Sequence, residues 1–327
     1  MRLVFRADAS RQIGAGHVMR VSTIAQEAIA RGHECHFVGI TSELSWVDKY
    51  VRKLGFKSLN QDIDSFDTNF RSEILVLDSY TVALDSPYNN PNIWKMVVCV
   101  TDQFTPKYSA DIFVNQSMKS KPTLDNRLEL NGPDFALIRK SIKKSTSRNE
   151  VEFPPKILVL GGGSDPYGFV RAVLQKLRSS DLLFEAHVFS DENLDSFSDL
   201  NIHQHQLGSE LDDFADGVDL VITTASTSCI EFIAREIPTL VACAVDNQEK
   251  FYSELGELGF AIPIGMRNSF GNWQLDLQTI KTAIEDPEIR ANLKLKVQGV
   301  IDLKGPSRIM DKIEMRIAAG QFRSKAR

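Results

Sequence analysis

Cysteine, tryptophan and long apolar runs are all scarce in this sequence. Its four cysteines, Cys35, Cys99, Cys229 and Cys243, sit singly in apolar segments with no Cys-x-x-Cys pair. That pattern argues against a disulfide scaffold or a thiolate metal cluster and reads as buried free thiols of a reducing, cytoplasmic compartment. No stretch reaches about 18 uncharged apolar residues, so no membrane span is expected. The opening Met1–Asp8 is broken by Arg2 and Arg6 and reads as a first strand rather than a signal peptide. An excess of one charge is also lacking. With 38 Lys and Arg against 43 Asp and Glu, the net −5 gives no electrostatic footprint for nucleic acid or an anionic membrane.

What is present is an ordinary globular balance, 43% apolar and 25% charged, in a 327-residue chain long enough for two domains. Strand-like runs alternate with helix-like segments, the signature of βα units and a mainly parallel sheet. In the first half the strands fall at Leu3–Asp8, Glu34–Ile40, Glu73–Tyr80, Lys95–Asp102 and Ala110–Ser117. Val18, Val21, Ala25 and Ala28, joined by Ile24 and Ile29, recur at helical spacing between the first two, and Gly32 stops that helix. A polar, proline-bearing stretch from Lys119 to about Pro155 reads as a linker. The alternation restarts with strands at Lys156–Gly163, Phe184–Asp191, Asn201–Gln206, Asp219–Ser226 and Pro238–Val245. Helices follow near Leu275–Glu285, Pro287–Gly299 and Pro306–Gly320. The fold class is therefore α/β, with two Rossmann-like domains facing across a cleft. Residues 1–150 form the first and 151–327 the second, with ligand beyond the carboxyl ends of the strands.

Three turns carry the chemistry. The first is Ile13-Gly14-Ala15-Gly16-His17-Val18-Met19-Arg20. A dinucleotide fingerprint would place a third glycine where Met19 stands and an acid at the end of the second strand, where Val38-Gly39-Ile40 stands instead. NAD or FAD is thus not expected. The turn offers a histidine at a helix start, where exposed amides disfavour imidazolium and leave His17 able to accept a proton. The second turn, Leu160-Gly161-Gly162-Gly163-Ser164-Asp165, lets backbone approach an anion but lacks the Gly-Lys-Ser/Thr ending of a P-loop; Asp165 or Ser164 would cap the next helix. In the third, Thr223-Thr224-Ala225-Ser226-Thr227-Ser228-Cys229-Ile230-Glu231, amides and hydroxyls of Ser226, Thr227 and Ser228 would cradle a diphosphate, and Glu231 would accept from ribose hydroxyls. Asn247 and Gln248 close a later strand toward the same edge. Asp62-Ile63-Asp64 reads as a solvated turn. His203 and His205 share one strand face without a third ligand in view, so no metal site is expected.

Taken together, these segments resemble the UDP-sugar hydrolase family of pseudaminic acid biosynthesis and its glycosyltransferase-like relatives. Phe5-Arg6-Ala7-Asp8-Ala9-Ser10 and the first turn match that family's opening signature. Asp78-Ser79-Tyr80, Val100-Thr101-Asp102, Phe135-Ala136-Leu137-Ile138-Arg139, Gly162-Gly163-Ser164-Asp165 and Asn247-Gln248 match further motifs. Ser79, Thr101 and the Lys140-Ser141-Ile142 that follows Arg139 depart from the pattern on its sugar side. The resemblance implies a glycosyltransferase-B fold and removal of UDP from a UDP-linked diacetamido-trideoxyhexose. It makes His17 the base, with Asp8 or Asp78 orienting the imidazole and Tyr80 positioning water or a sugar hydroxyl. It also implies substrate contacts from Arg6, Gly16, Arg20, Asn115 and Arg139, beside Gly162, Gly163 and Ser164. With such donors no cofactor is called for, and a monomer or weak dimer is expected. An inverting glycosyltransferase, and a non-catalytic nucleotide-sugar-binding protein, remain as alternatives.

Overall fold

Two sheets of seven strands, built in the same order, organise the described residues. The structure is a computed structural model that describes all residues except 64, 65, 72, 84, 103–107, 120–127, 146–152, 209, 210 and 322–327. The first sheet contains β1 (Arg2–Ala7), β2 (Glu34–Val38), β3 (Ser58–Asn60), β4 (Ile74–Asp78), β5 (Met96–Thr101), β6 (Ile112–Asn115) and β7 (Leu128–Leu130), in the order β3-β2-β1-β4-β5-β6-β7. The second contains β8 (Lys156–Leu160), β9 (Glu185–Phe189), β10 (Ile202–His205), β11 (Leu220–Thr224), β12 (Thr239–Cys243), β13 (Ile262–Arg267) and β14 (Trp273–Leu275), in the order β10-β9-β8-β11-β12-β13-β14. Only the β13–β14 pair is antiparallel among these pairings. In each sheet the chain runs out on one side of its first strand and returns on the other. That leaves a switch point between β1 and β4, and another between β8 and β11, where ligands bind in such folds.

Helices α1 (Gly16–Ala30) and α2 (Ser45–Lys53) follow β1 and β2. In the second half come α3 (Phe169–Arg178), α4 (Leu211–Ala215), α5 (Thr227–Ala234), α6 (Glu249–Leu258), α7 (Leu277–Glu285), α8 (Pro287–Val297) and α9 (Gly305–Ala318). The central strands read as unbroken apolar runs because both faces are covered; β4 and β5 are buried at every position. Val18, Val21, Ile24, Ala25 and Ala28 of α1 are fully buried against Leu3, Phe5 and Ala7 of β1. Each valine or isoleucine contributes about 1.5–3 kcal/mol by leaving water. The other face packs Val4, Leu75, Leu77 and Cys99 on Tyr88 and Trp94. Burial pushes the Cys35 and Cys99 thiols up to about 12 and that of Cys243 to about 11, as expected of structural thiols.

The boundary drawn from sequence shifts at both ends. The chain divides into Met1–Lys140 with Asp302–Arg327, and Ser141–Ile301. Part of the expected linker is in fact β7, paired parallel to β6, because Leu128 and Leu130 supply a short alternating edge. Two parts of that stretch, 120–127 and 146–152, lie outside the described residues, as does Asp64 of the Asp-x-Asp turn. The final helix belongs to the first unit rather than the second. Ile309, Met310 and Ile313 of α9 join the α1 core, and Arg31 binds Asp311 and Glu314 at 2.7 and 2.9 Å. Gly305 starts α9 hard against the first unit: a Cβ there would lie 2.1 Å from the Ala136 carbonyl oxygen.

His203 and His205 meet a third ring, His187 of β9, opposite His203 in the ladder. His187 Nδ1 lies 2.9 Å from His205 Nε2, and both His203 and His205 stack on His187 at 5.2 Å. Burial first, then His205 and His203, hold His187 below its ordinary 6.5, against a raising influence from Glu185 and with Lys156 adding to the lowering. The folded protein therefore takes up this proton less readily than the unfolded chain. The neutral His187 ring stabilises fully above 6.5, and that contribution is lost as pH falls through the lowered folded value. Denaturation midpoints followed from about pH 7.5 to about pH 5 are expected to fall more steeply in the parent than in His187→Gln. Equal slopes would remove the histidine stack as the cause.

Candidate active site

The first switch point is built around His17. Gly14, at φ +77°, turns the chain after β1, and its N–H bonds the Ser10 carbonyl at 2.9 Å. Helix α1 then starts with no side-chain cap and no acid in its first turn. Gly16 opens it, and His17 follows, 6% exposed. Asp78, at the carboxyl end of β4 and 1% exposed, takes the imidazole: Nδ1 stands 2.6 Å from its Oδ1. A carboxylate only accepts, so Nδ1–H donates and the Nε2 lone pair points away from Asp78. Among the described residues Nε2 has no hydrogen-bond partner.

Arg20, one turn on, donates from Nε and Nη2 to the two oxygens of Asp78 at 2.8 and 2.9 Å. Its Nη1 binds Asp102, just beyond β5. Tyr80 donates its hydroxyl to the other Asp102 oxygen and sets its ring edge-on to His17, 4.4 Å between centroids at 87°. Burial would raise the Asp78 carboxyl, but Arg20 and His17 outweigh it and hold the group below the ordinary value. Arg20 is likewise held above its usual range, burial opposing and Asp102 and Asp78 prevailing. Burial, then the Asp102 charge, pushes the Tyr80 phenol up. The arrangement is an oriented imidazole backed by a fixed carboxylate, a group suited to taking a proton from water or a hydroxyl.

Several expectations need correction here. Asp78 alone, not Asp8, contacts the imidazole. Alternation along β1 puts Leu3, Phe5 and Ala7 under α1 and Arg6 on the opposite face with Val4. Asp8 pairs with that Arg6 at 2.7 Å and accepts from the Ile40 N–H at 2.9 Å. Arg6, 2% exposed, lies over the Tyr88 ring, which places it within the fold. Arg20, expected at the substrate, is spent on Asp78 and Asp102. Asn115 does end β6, beside Thr101 of β5, with its Oδ1 receiving the Ser117 N–H at 2.9 Å. Arg139 is followed by Lys140, which meets Gln26 and Glu27, about two and a half turns along α1 from His17. Asp102 was missed as a site residue, although an acid closing an apolar strand was the available signal.

The second switch point pairs two turns. After β8, Gly162 has φ +85°, and a Cβ there would meet Ser226 Oγ at 3.6 Å and Thr224 Oγ1 at 3.8 Å. Ser226 precedes α5 without capping it, and its buried Oγ has no partner among the described residues. Thr227, Ser228 and the buried Glu231 occupy the first turns of α5. The start of α3 is closed differently: Asp165 accepts from the N–H groups of Phe169 and Val170 at 2.8 and 3.0 Å. Gly161 makes room for that carboxylate, since a Cβ would sit 2.0 Å from Asp165 Oδ1. An anion would therefore find α5, not α3, with open amides. Gly163 and Ser164 continue the turn. Gln248 is occupied, its Oε1 accepting from the Ala244 N–H at 2.9 Å, while Asn247 is exposed. Gly39 explains the missing acid of a dinucleotide fold, because a Cβ there would lie 1.6 Å from the Ala7 carbonyl oxygen.

Paired units of this strand order define an α/β protein of the glycosyltransferase-B fold class. MurG of Acinetobacter baumannii matches at TM-score 0.64 and 12% identity, over 96% of this chain and 100% of that one. The spinosyn forosaminyltransferase SpnP matches at 0.63 and 12%, over 97% and 99%. No family model matches the chain. An uncharacterised protein of Methanocaldococcus jannaschii is 25% identical over 283 residues, 78% of this chain but 58% of its own length. The present chain thus spans little more than half of that relative. The UDP-2,4-diacetamido-2,4,6-trideoxy-β-L-altropyranose hydrolase of Campylobacter jejuni is 22% identical over 281 residues, 80% of this chain and 98% of that protein. No helix among the described residues is long and apolar enough to cross a membrane.

Proposed function

We propose that the chain is a nucleotide-sugar hydrolase that releases UDP from a UDP-linked diacetamido-trideoxyhexose, in nonulosonic acid biosynthesis of the pseudaminic type. The observation that carries this reading is the His17–Asp78 pair, with Nδ1 committed to the carboxylate and Nε2 unengaged. Water attacks the anomeric carbon as Nε2 takes its proton; the new C–O bond forms while the bond to the diphosphate oxygen breaks. UDP leaves with that electron pair, the anomeric centre inverts, and Asp78 stabilises the imidazolium until it returns the proton to solvent. Negative charge developing on the leaving diphosphate suits the α5 start, where Ser226 Oγ lacks a partner beside Gly162. The uridine and the diacetamido sugar are supported by the likeness to the Campylobacter jejuni hydrolase.

Phosphorus NMR of the protein with a panel of UDP-sugars tests the proposal. UDP is expected to appear without any acceptor, and proton NMR is expected to show the inverted anomer first. Release only when an acceptor sugar is supplied would make the protein a glycosyltransferase using the same base. UDP binding with no turnover of any UDP-sugar would leave a binding protein.

A further inference from the structure

We infer that Asp102 is a positioning residue of this site, a single carboxylate that clamps Arg20 and Tyr80 and through them fixes His17. It rests on the reading of His17 as base. Three elements meet on this side chain: α1 through Arg20, the turn after β4 through Tyr80, and the end of β5 through Asp102 itself. One oxygen takes Arg20 Nη1 and the other takes the Tyr80 hydroxyl.

Each contact passes geometry on to the imidazole. A guanidinium is a planar, rigid fork. Holding Nη1 therefore sets the plane in which Nε and Nη2 meet Asp78 at 2.8 and 2.9 Å. That pins the Asp78 oxygen standing 2.6 Å from His17 Nδ1. The second arm is steric. With the Tyr80 ring perpendicular to the imidazole at 4.4 Å, His17 cannot turn about its Cβ–Cγ bond without striking the phenol. Asp102 thus restrains His17 at its Nδ1 edge and against its ring. The carboxylate is a quarter exposed and its Arg20 partner is buried, so the pair also supports the fold. Its larger effect is on aim, where a displacement of about 1 Å costs roughly 10²-fold in rate.

Asn in place of Asp102 keeps one acceptor oxygen for Arg20, and its NH₂ can meet Tyr80 only by donating to the phenol oxygen, so the charge and the second acceptor of the clamp are lost. In Asp102→Asn, nitrogen-15 NMR of labelled histidine is expected to change from a single Nδ1–H tautomer of His17 to a mixture of tautomers. Alongside, kcat for UDP release is expected to fall by about 10- to 100-fold with KM within about twofold. Asp102→Glu is expected to regain part of kcat. Tyr80→Phe, which frees one arm only, is expected to lower kcat less and to add little on top of Asp102→Asn. Should Asp102→Asn fail to fold, Tyr80→Phe carries the same tautomer measurement. The spectrum is read on substrate-free protein. A parent that releases no UDP therefore sinks the hydrolase reading alone, whereas an unchanged His17 tautomer overturns the clamp whatever the activity.

Discussion

Replacing His17 with alanine is expected to lower kcat for UDP release by about 10²–10⁴-fold, with KM for the nucleotide sugar little changed. The size follows from what the side chain supplies. Nε2 is the oriented acceptor of the first switch point, and nothing else named there is arranged to replace it: Asp78 is engaged by His17 and Arg20, and Tyr80 donates to Asp102. The loss is expected in the rate and not in substrate affinity, since the reading assigns the diphosphate to the α5 start. The fold is expected to survive. In the variant Asp78 keeps both Arg20 contacts, so no buried carboxylate is stranded, and the melting temperature stays within a few degrees. Calorimetric titration with UDP should match the parent. UDP release near the parental rate in a folded variant would end the case for His17 as base.

The site was more legible than the fold's margins, for physical reasons. Central strands announce themselves because burial on both faces demands continuous apolar runs, as in Met96–Thr101. The edge strands do not. Ser58–Asn60 is short and partly exposed, and Leu128–Leu130 lies in a polar stretch; Ile262–Arg267, next to the edge, is masked by Pro263 and Gly265. The glycine turn before His17 was visible as a motif, but the choice between Asp8 and Asp78 depended on pleat parity. That parity is fixed only once α1 is known to cover the face of Leu3, Phe5 and Ala7. Arg20 lies three residues after His17, a spacing that puts both on one helix face, so its turn toward Asp78 could have been read in advance. The role of Asp102 could not. It depends on β5 lying next to β4, a neighbour relation that sequence order alone does not settle. The return of α9 to the first unit is of the same kind, written in long-range contacts such as Arg31 with Asp311.

Asp78→Asn is expected to cost as much activity as losing the base itself, about 10³–10⁴-fold in kcat. An amide has one acceptor and one donor end, and Arg20 decides which way it points. Arg20 already brings Nε and Nη2 to this position and can only donate, so it draws the amide oxygen and turns the NH₂ toward His17. The imidazole must then accept at Nδ1, its proton moves to Nε2, and the atom meant to take a proton from water already carries one. His17→Ala added to Asp78→Asn should therefore change little, because both variants remove the same acceptor. The substitution also reads out in stability. Arg20 and His17 hold the Asp78 carboxyl below its ordinary 3.8 despite burial. The ionised group thus contributes stability that is fully present above 3.8 and is lost as pH falls through the lower folded value. At neutral pH the variant is expected to be about 1.5–3 kcal/mol less stable, the worth of a hydrogen bond to a charged group. Its acid unfolding should lack the part of the parent's decline that Asp78 causes, so the two denaturation curves approach each other as pH falls below 3.8. If the variant kept parental turnover with His17 still protonated on Nδ1, the carboxylate would have no part in orienting the base.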